Sequence, residues 1–229
     1  MTDEIDWTVA GTELDAHGCA LLPGLLDGAT CAALREGWAT RDRFRSEVVM
    51  ARHGYGRGAY RYYAYPLPDP VADLRAALYP PLARIANRWA AALGTATFPE
   101  DHARFLARCH NAGQTRPTPL LLRYETGDWN ALHQDLYGEY VFPLQVAILL
   151  SASGRDFTGG EFVLTEQRPR QQSRAEVVPL EEGDAVVFPV RERPVRGTHG
   201  WHRRALRHGV SRLRSGLRFT LGIIFHDAT

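Results

Sequence analysis

The stretch from residue 206 to residue 225 reads LRHGVSRLRSGLRFTLGIIF, and its reading decides the fold. Residues 206–211 and 217–225 are short β-like runs, and the Ser215-Gly216 pair between them is a turn signal, so the segment predicts two strands joined as a hairpin around 213–216. Working back towards Pro117, the same grammar repeats. Residues 120–124, 142–150, 161–165, 176–180 and 185–190 are apolar runs of strand length. Thr158-Gly159-Gly160 and Glu182-Gly183-Asp184 punctuate them. Seven or eight short strands at this spacing predict a sandwich, barrel or jelly roll.

The first half reads differently. Residues 19–26 form a short apolar run, and Asp27 caps a helix through about Trp38 with Leu34 on its buried side. Asp69-Pro70 opens a second helical zone in which Val71, Leu74, Leu78, Leu82, Ile85 and Trp89 recur at helical spacing. Pro80-Pro81 is expected to split that zone in two. Pro99-Glu100-Asp101 opens a third helix, which contains Phe105 and Leu106 and ends at Gly113. The fold class expected is mainly β with flanking helices (α+β), around a double-stranded β-helix core of the cupin-like jelly-roll kind. One domain is expected over 1–229, with 1–117 as helical support and candidate substrate lid and 118–229 as the core.

Composition narrows the chemistry. All 27 basic residues of the 229 are arginine. Without lysine there is no Schiff-base enzyme and no complete Walker A loop. A net charge of +1 gives no overall basic field. The arginines are nevertheless uneven: residues 191–218 contain nine, with Glu192 as the single acid. Cys19, Cys31 and Cys109 form no metal-ligand or disulfide spacing, which favours a reducing compartment. No apolar run approaches the roughly 18 residues of a membrane helix and no signal core opens the chain, so a soluble cytoplasmic protein is expected.

His133-Gln134-Asp135 is the first metal candidate. Alternate residues of a strand share a face, so His133 and Asp135 can chelate one ion, and imidazole with carboxylate suits Fe(II) in a two-His, one-carboxylate site. With nine histidines and 26 acidic residues, such a pair alone is close to a chance occurrence. Its surroundings add weight. His208 is followed by Gly216 and Arg218 at plus eight and plus ten, and the expected hairpin puts His208 and Arg218 opposite each other. A guanidinium near the metal serves a bidentate cosubstrate with a distal carboxylate. His202 and His199 also have residues at plus ten, Arg212 and Gly209, but lie in a Gly/Arg-rich stretch that reads as a loop. His226-Asp227 ends the last strand and reads as structural.

Together these residues resemble the signature of the Fe(II)/2-oxoglutarate-dependent oxygenases: His-x-Asp, a distal histidine, and a basic residue about ten positions later. The resemblance covers roughly residues 118–226 and includes Thr158-Gly159-Gly160-Glu161-Phe162. It implies His133, Asp135 and His208 as metal ligands and as the catalytic centre, with Arg218, Tyr124 and Asn130 binding the cosubstrate. It also implies Fe(II), 2-oxoglutarate and O2 as the cofactor set. The strings around Tyr124, His133 and His208 further resemble a bacterial family of oxygenases assigned to oxidative demethylation of damaged nucleic acid, with AlkB-like chemistry. Leu122 departs from the AlkB-like pattern, which has asparagine there.

Substrate residues are less marked. Residues 51–67 interleave arginine with tyrosine, a composition that stacks bases and grips phosphates. The segment reads either as a lid or as a tyrosine-rich strand pair over the core. Tyr60, Arg61, Tyr63, Gln134 and Tyr137 are the candidate substrate contacts, and the 168–174 and 191–207 segments are further arginine-rich candidates. The expected partner is an anionic substrate such as alkylated nucleic acid or a nucleotide, with no membrane and no obligate protein partner. Two other readings stay open: a hydroxylase of an amino acid, protein side chain or small metabolite, and a metal-binding jelly roll without turnover.

Overall fold

A computed structural model describes residues 4–167 and 171–229. In chain order the elements are α1 (Trp7–His17), β1 (Ala20–Leu22), α2 (Gly28–Glu36), β2 (Phe44–Val49), β3 (Gly56–Arg57), β4 (Ala59–Tyr63), α3 (Asp69–Leu93) and α4 (His102–Asn111). There follow β5 (Leu120–Glu125), β6 (Trp129–His133), β7 (Leu144–Leu149), β8 (Phe157–Gly159), β9 (Phe162–Glu166), β10 (Arg174–Val178), β11 (Ala185–Pro189), β12 (Glu192–Gly197), β13 (Gly200–Val210) and β14 (Leu213–Ile224). Among the described residues, no helix is long and apolar enough to cross a membrane.

The strands form two antiparallel sheets. One runs β1-β11-β7-β14-β5-β4-β2 with β8 added on β14, and the other runs β10-β9-β13-β6-β3 with β12 added on β13. Tyr124, Ala147, Leu149, Phe162, Leu164, Phe188 and Leu213 pack between the sheets. Leu74, Leu78, Leu82, Phe105, Val146, Ile148, Leu221 and Ile223 form a second layer between the helices and the larger sheet. β7 is buried along its whole length because it serves both layers, so its sequence is a continuous apolar run rather than an alternating one. This is the expected jelly-roll core with flanking helices.

Four expectations are corrected. The run 206–225 is not a hairpin: β13 belongs to the smaller sheet and β14 to the larger. Only Ser211 and Arg212 separate them, so the chain steps across the sandwich rather than turning back on itself. Helix α3 is continuous through Pro80 and Pro81. Each internal proline costs about 3 kcal/mol, but the fully buried Leu74, Leu78 and Leu82 and the nearly buried Trp89 straddle them and at about 1.5–3 kcal/mol per side chain outweigh that cost. The division at residue 117 does not hold, because β1 to β4 are built into the sheets. Within 191–207, expected as a loop, β12 and β13 pair from Glu192↔Ala205 to Gly197↔Gly200. Of the arginine-rich 168–174 segment, residues 168–170 lie outside the described residues.

Candidate active site

His133 closes β6 and pairs in register with His208 on β13, which brings the two imidazole rings to 4.2 Å between centroids. Asp135 is not on the strand. It lies in the irregular segment after β6, where a carboxylate can swing back under both rings. Its Oδ1 is 3.5 Å from His133 Nε2 and its Oδ2 is 3.2 Å from His208 Nε2. One ligand atom from each residue lies within 4.8 Å of the others. His133 Nδ1 donates to the Ala131 carbonyl over 2.8 Å, which leaves the Nε2 lone pair for a metal. His208 is held between Phe162 and Phe188.

The electrostatics suit a metal. Burial pushes the Asp135 carboxyl up, but the imidazoles of His133 and His208 outweigh it and hold Asp135 well below the usual carboxylate range. Burial, with His133 as neighbour, lowers His208. Asp135 is therefore held charged and His208 is pushed towards its neutral form, as metal binding requires, whereas at His133 burial is outweighed by Asp135, which raises it, and a metal would displace that proton. Two imidazoles and one carboxylate, with no thiolate among the described residues of the cluster, fit ferrous iron.

A cavity of about 470 Å³ runs from this cluster to Arg218. Arg218 is 1% exposed. Its Nη1 donates to Thr220 Oγ1 over 2.6 Å, while its Nε is buried without a partner. Its guanidinium carbon is 5.7 Å from the ring centres of Tyr124 and Phe157. No carboxylate pairs with it among the described residues, and burial lowers its pKa to about 10. A buried cation with unused donors fits the far carboxylate of a dicarboxylic cosubstrate. Gly160 makes room for it: its φ is +66°, and a Cβ there would come within 2.4 Å of Leu213 Cδ1 and 3.1 Å of Arg218 Cδ. Tyr124 lines the same cavity, and its hydroxyl accepts from Asn130 Nδ2 over 3.2 Å.

Of the expected substrate contacts, the structure brings Tyr60, Gln134 and Tyr137 to the cavity. It puts Arg61 and Tyr63 elsewhere. Both are buried on the opposite face of β4, where Arg61 pairs with Glu47 at 2.8 Å and lies 4.1 Å over the Trp38 ring. The physical reason is the two-residue period of a strand: Tyr60 and Tyr62 share the cavity face, Arg61 and Tyr63 the helix-facing one. The same period, read from Tyr60, brings Tyr62 to the cavity as well. Gln134 is committed to backbone, donating to the carbonyls of Arg191 and Leu206. Tyr137 donates to Asp135 Oδ1 over 2.9 Å and accepts from Tyr62 over 3.0 Å. Thr220 and Gln145 are further lining residues that no motif marked. His202 is exposed on β13, and His226 is buried outside the cluster, its Nδ1 accepting from the Phe142 amide.

Residues 58–228 match the family described as "Oxygenase, catalysing oxidative methylation of damaged DNA". The chain belongs to this oxygenase family. Two curated relatives, Rv2227 and MT2286, both from Mycobacterium tuberculosis and both described as uncharacterized, are each 54% identical over 173 residues, covering 75% of this chain and 74% of the relative. Among solved structures the oxygenase shares its fold with a 2OG-Fe(II) oxygenase-family oxidoreductase from Burkholderia pseudomallei, with a TM-score of 0.56, 18% identity, and 99% and 95% of the two chains covered. A prolyl-4-hydroxylase from Pseudomonas putida is similar, with a TM-score of 0.54, 16% identity, and 97% and 99% covered.

Proposed function

We propose that the oxygenase uses Fe(II), 2-oxoglutarate and O2 to oxidise the C–H bond next to nitrogen in an N-alkylated nucleobase of nucleic acid, one oxygen atom entering that bond and the alkyl group leaving as an aldehyde. The observation that carries this reading is one cavity joining a His-Asp-His cluster to a buried, uncompensated guanidinium. His133, Asp135 and His208 hold the iron. Arg218, with Thr220 beside it, grips the far carboxylate of 2-oxoglutarate, and Tyr124 and Asn130 orient the same molecule from the cavity wall. When bound, iron and 2-oxoglutarate supply the oxidant, with 2-oxoglutarate leaving as succinate and CO2. Tyr60 and Tyr62 offer aromatic faces to a planar base, with the half-exposed Tyr55, Leu132 and Leu136 at the rim. Because the ligands line a cavity rather than a flat surface, a base must leave its stack to reach them. The family description supports damaged DNA as the substrate class.

The test is incubation with Fe(II), ascorbate, 2-oxoglutarate and a panel of N-methylated oligonucleotides and free amino acids, read by mass spectrometry. The expected result is succinate together with loss of the methyl group from an oligonucleotide. Oxidation of free amino acids alone would overturn the nucleic-acid reading, and no 2-oxoglutarate consumption at all would overturn the site assignment.

A further inference from the structure

From the strand that carries His208, the β12–β13 pair extends as a two-stranded ribbon whose two faces differ in kind. Even-numbered β13 residues turn to the body: His208 is a proposed ligand, Leu206 is 1% exposed, and Arg204 pairs with Glu166 at 2.9 Å. Odd-numbered residues turn to solvent, as strand alternation requires. On that outer face Trp201 is 51% exposed and stands directly opposite Arg196. Arg203 and Arg207 follow on the same face, both exposed. Arg203 shares Glu192 with Arg191, whereas Arg196 and Arg207 have no carboxylate partner among the described residues. Trp201 stands seven positions before His208, a span of about 23 Å at roughly 3.3 Å per residue. The ribbon's root is fixed to the metal strand, because Gln134, between His133 and Asp135, donates to Arg191 O on one side and Leu206 O on the other.

We infer that this outer ribbon face is the track along which single-stranded nucleic acid approaches the oxygenase, with Arg196 and Arg207 on phosphates and Trp201 stacked on a base. The inference rests on the nucleic-acid reading above and adds to it a surface and a strand form. Exposed cations without carboxylate partners complement a polyanion, and an exposed indole flanked by arginine is the combination that holds single strands without reading their sequence. A duplex keeps its bases stacked and out of the indole's reach, so the single strand is the form this face suits.

Fluorescence anisotropy with a labelled single-stranded oligonucleotide carrying one N-methylated base tests it, across a salt series and against the same oligonucleotide as a duplex. Arg196→Ala and Arg207→Ala are each expected to weaken binding and to flatten the log-affinity against log-salt slope by roughly 0.7. Trp201→Ala is expected to weaken binding about tenfold with the slope unchanged. Substrate-free succinate formation stays at the wild-type rate in all three variants, which shows that the cavity is intact. Wild-type affinity in the triple variant would overturn the track while leaving the nucleic-acid reading standing. Duplex bound as tightly as single strand would overturn the strand assignment. No binding of either form by the wild type would overturn both.

Discussion

Asp135 and Asp227 are both carboxylates withdrawn from solvent, yet they are answered in opposite ways. Asp227 is fully buried and meets Arg75 Nη2 at 2.7 Å, the Tyr65 hydroxyl at 2.9 Å and His110 Nε2 at 2.8 Å. Arg75 is spent in turn on the Ile224 carbonyl and on Tyr65. The cluster is closed: it ties α3 and α4 to the end of β14 and leaves no oxygen for a ligand. Among the described residues Asp135 meets two imidazole nitrogens that are themselves ligand atoms, and one tyrosine, and no guanidinium. A carboxylate matched by a fixed cation fastens a fold. One matched only by groups that prefer a metal is a site held ready.

The comparison can be broken most severely at His208. His208→Ala is expected to abolish Fe(II) binding and Fe(II)-dependent succinate formation, a loss beyond the roughly 10–100-fold that outer orienting contacts are worth. His202→Ala should leave both in place. Metal titration and a succinate assay read the pair, and the reverse ranking would remove His208 from the site.

The closed cluster answers to stability instead. Arg75→Met leaves Asp227 buried without its cation and should cost about 3–5 kcal/mol in urea unfolding. Asp135→Asn in the metal-free protein should cost less, because it removes a charge that His133 and His208 hold in place without stranding a buried one. Equal losses in the two variants would erase the distinction.

A pH series sharpens the contrast around the same strand end. Burial, helped by Arg75, lowers both His102 and His226 to about 4. These rings stay neutral in the folded protein while the unfolded chain protonates below about 6.5. Their contribution is therefore complete above pH 6.5 and is lost as pH falls towards 4, on the order of 3 kcal/mol for each histidine. His133 works against this, since its pKa is raised: burial opposes the shift but Asp135 outweighs it. Urea unfolding of metal-free protein between pH 7 and 4.5 should show a net fall, and a flat profile would count against buried neutral rings.

The smallest effect belongs to Tyr137. Tyr137→Phe removes one hydrogen bond to Asp135 and should weaken metal affinity about tenfold, with stability within roughly 1.5 kcal/mol of wild type. Cobalt(II) titration followed by absorbance reads this apart from turnover.

Much of the metal centre was legible in the sequence, because the two histidines sit on strands and strand period decides which way they face. His133, Asp135 and His208 lie together although Asp135 comes from an irregular segment and β13 and β14 lie in different sheets rather than in one hairpin. Spacing along the chain survived that difference because both strands bound the same cavity. What stayed illegible was set by tertiary context. Pro80 and Pro81 signal a break that the buried face of α3 overrides. Arginine-rich 191–207 looks like a loop because its outer face is polar, while Arg193 and Leu206 on the inner face are buried. Arg61 and Tyr63 looked like substrate contacts because composition carries no information about face.

The strand order gives the first 57 residues a further importance. The two sheets have four margins, and β1, β2 and β3 occupy three of them. All three lie before residue 58, where the match to the oxygenase family begins. Trimming the chain to that matched span would uncover β11, β4 and β6 as raw edges, each with a row of unpaired amides and carbonyls inviting a neighbouring molecule to add its own strand. The N-terminal segment, which supplies no proposed metal ligand, is in this sense the hem that keeps the sheets from joining those of other molecules.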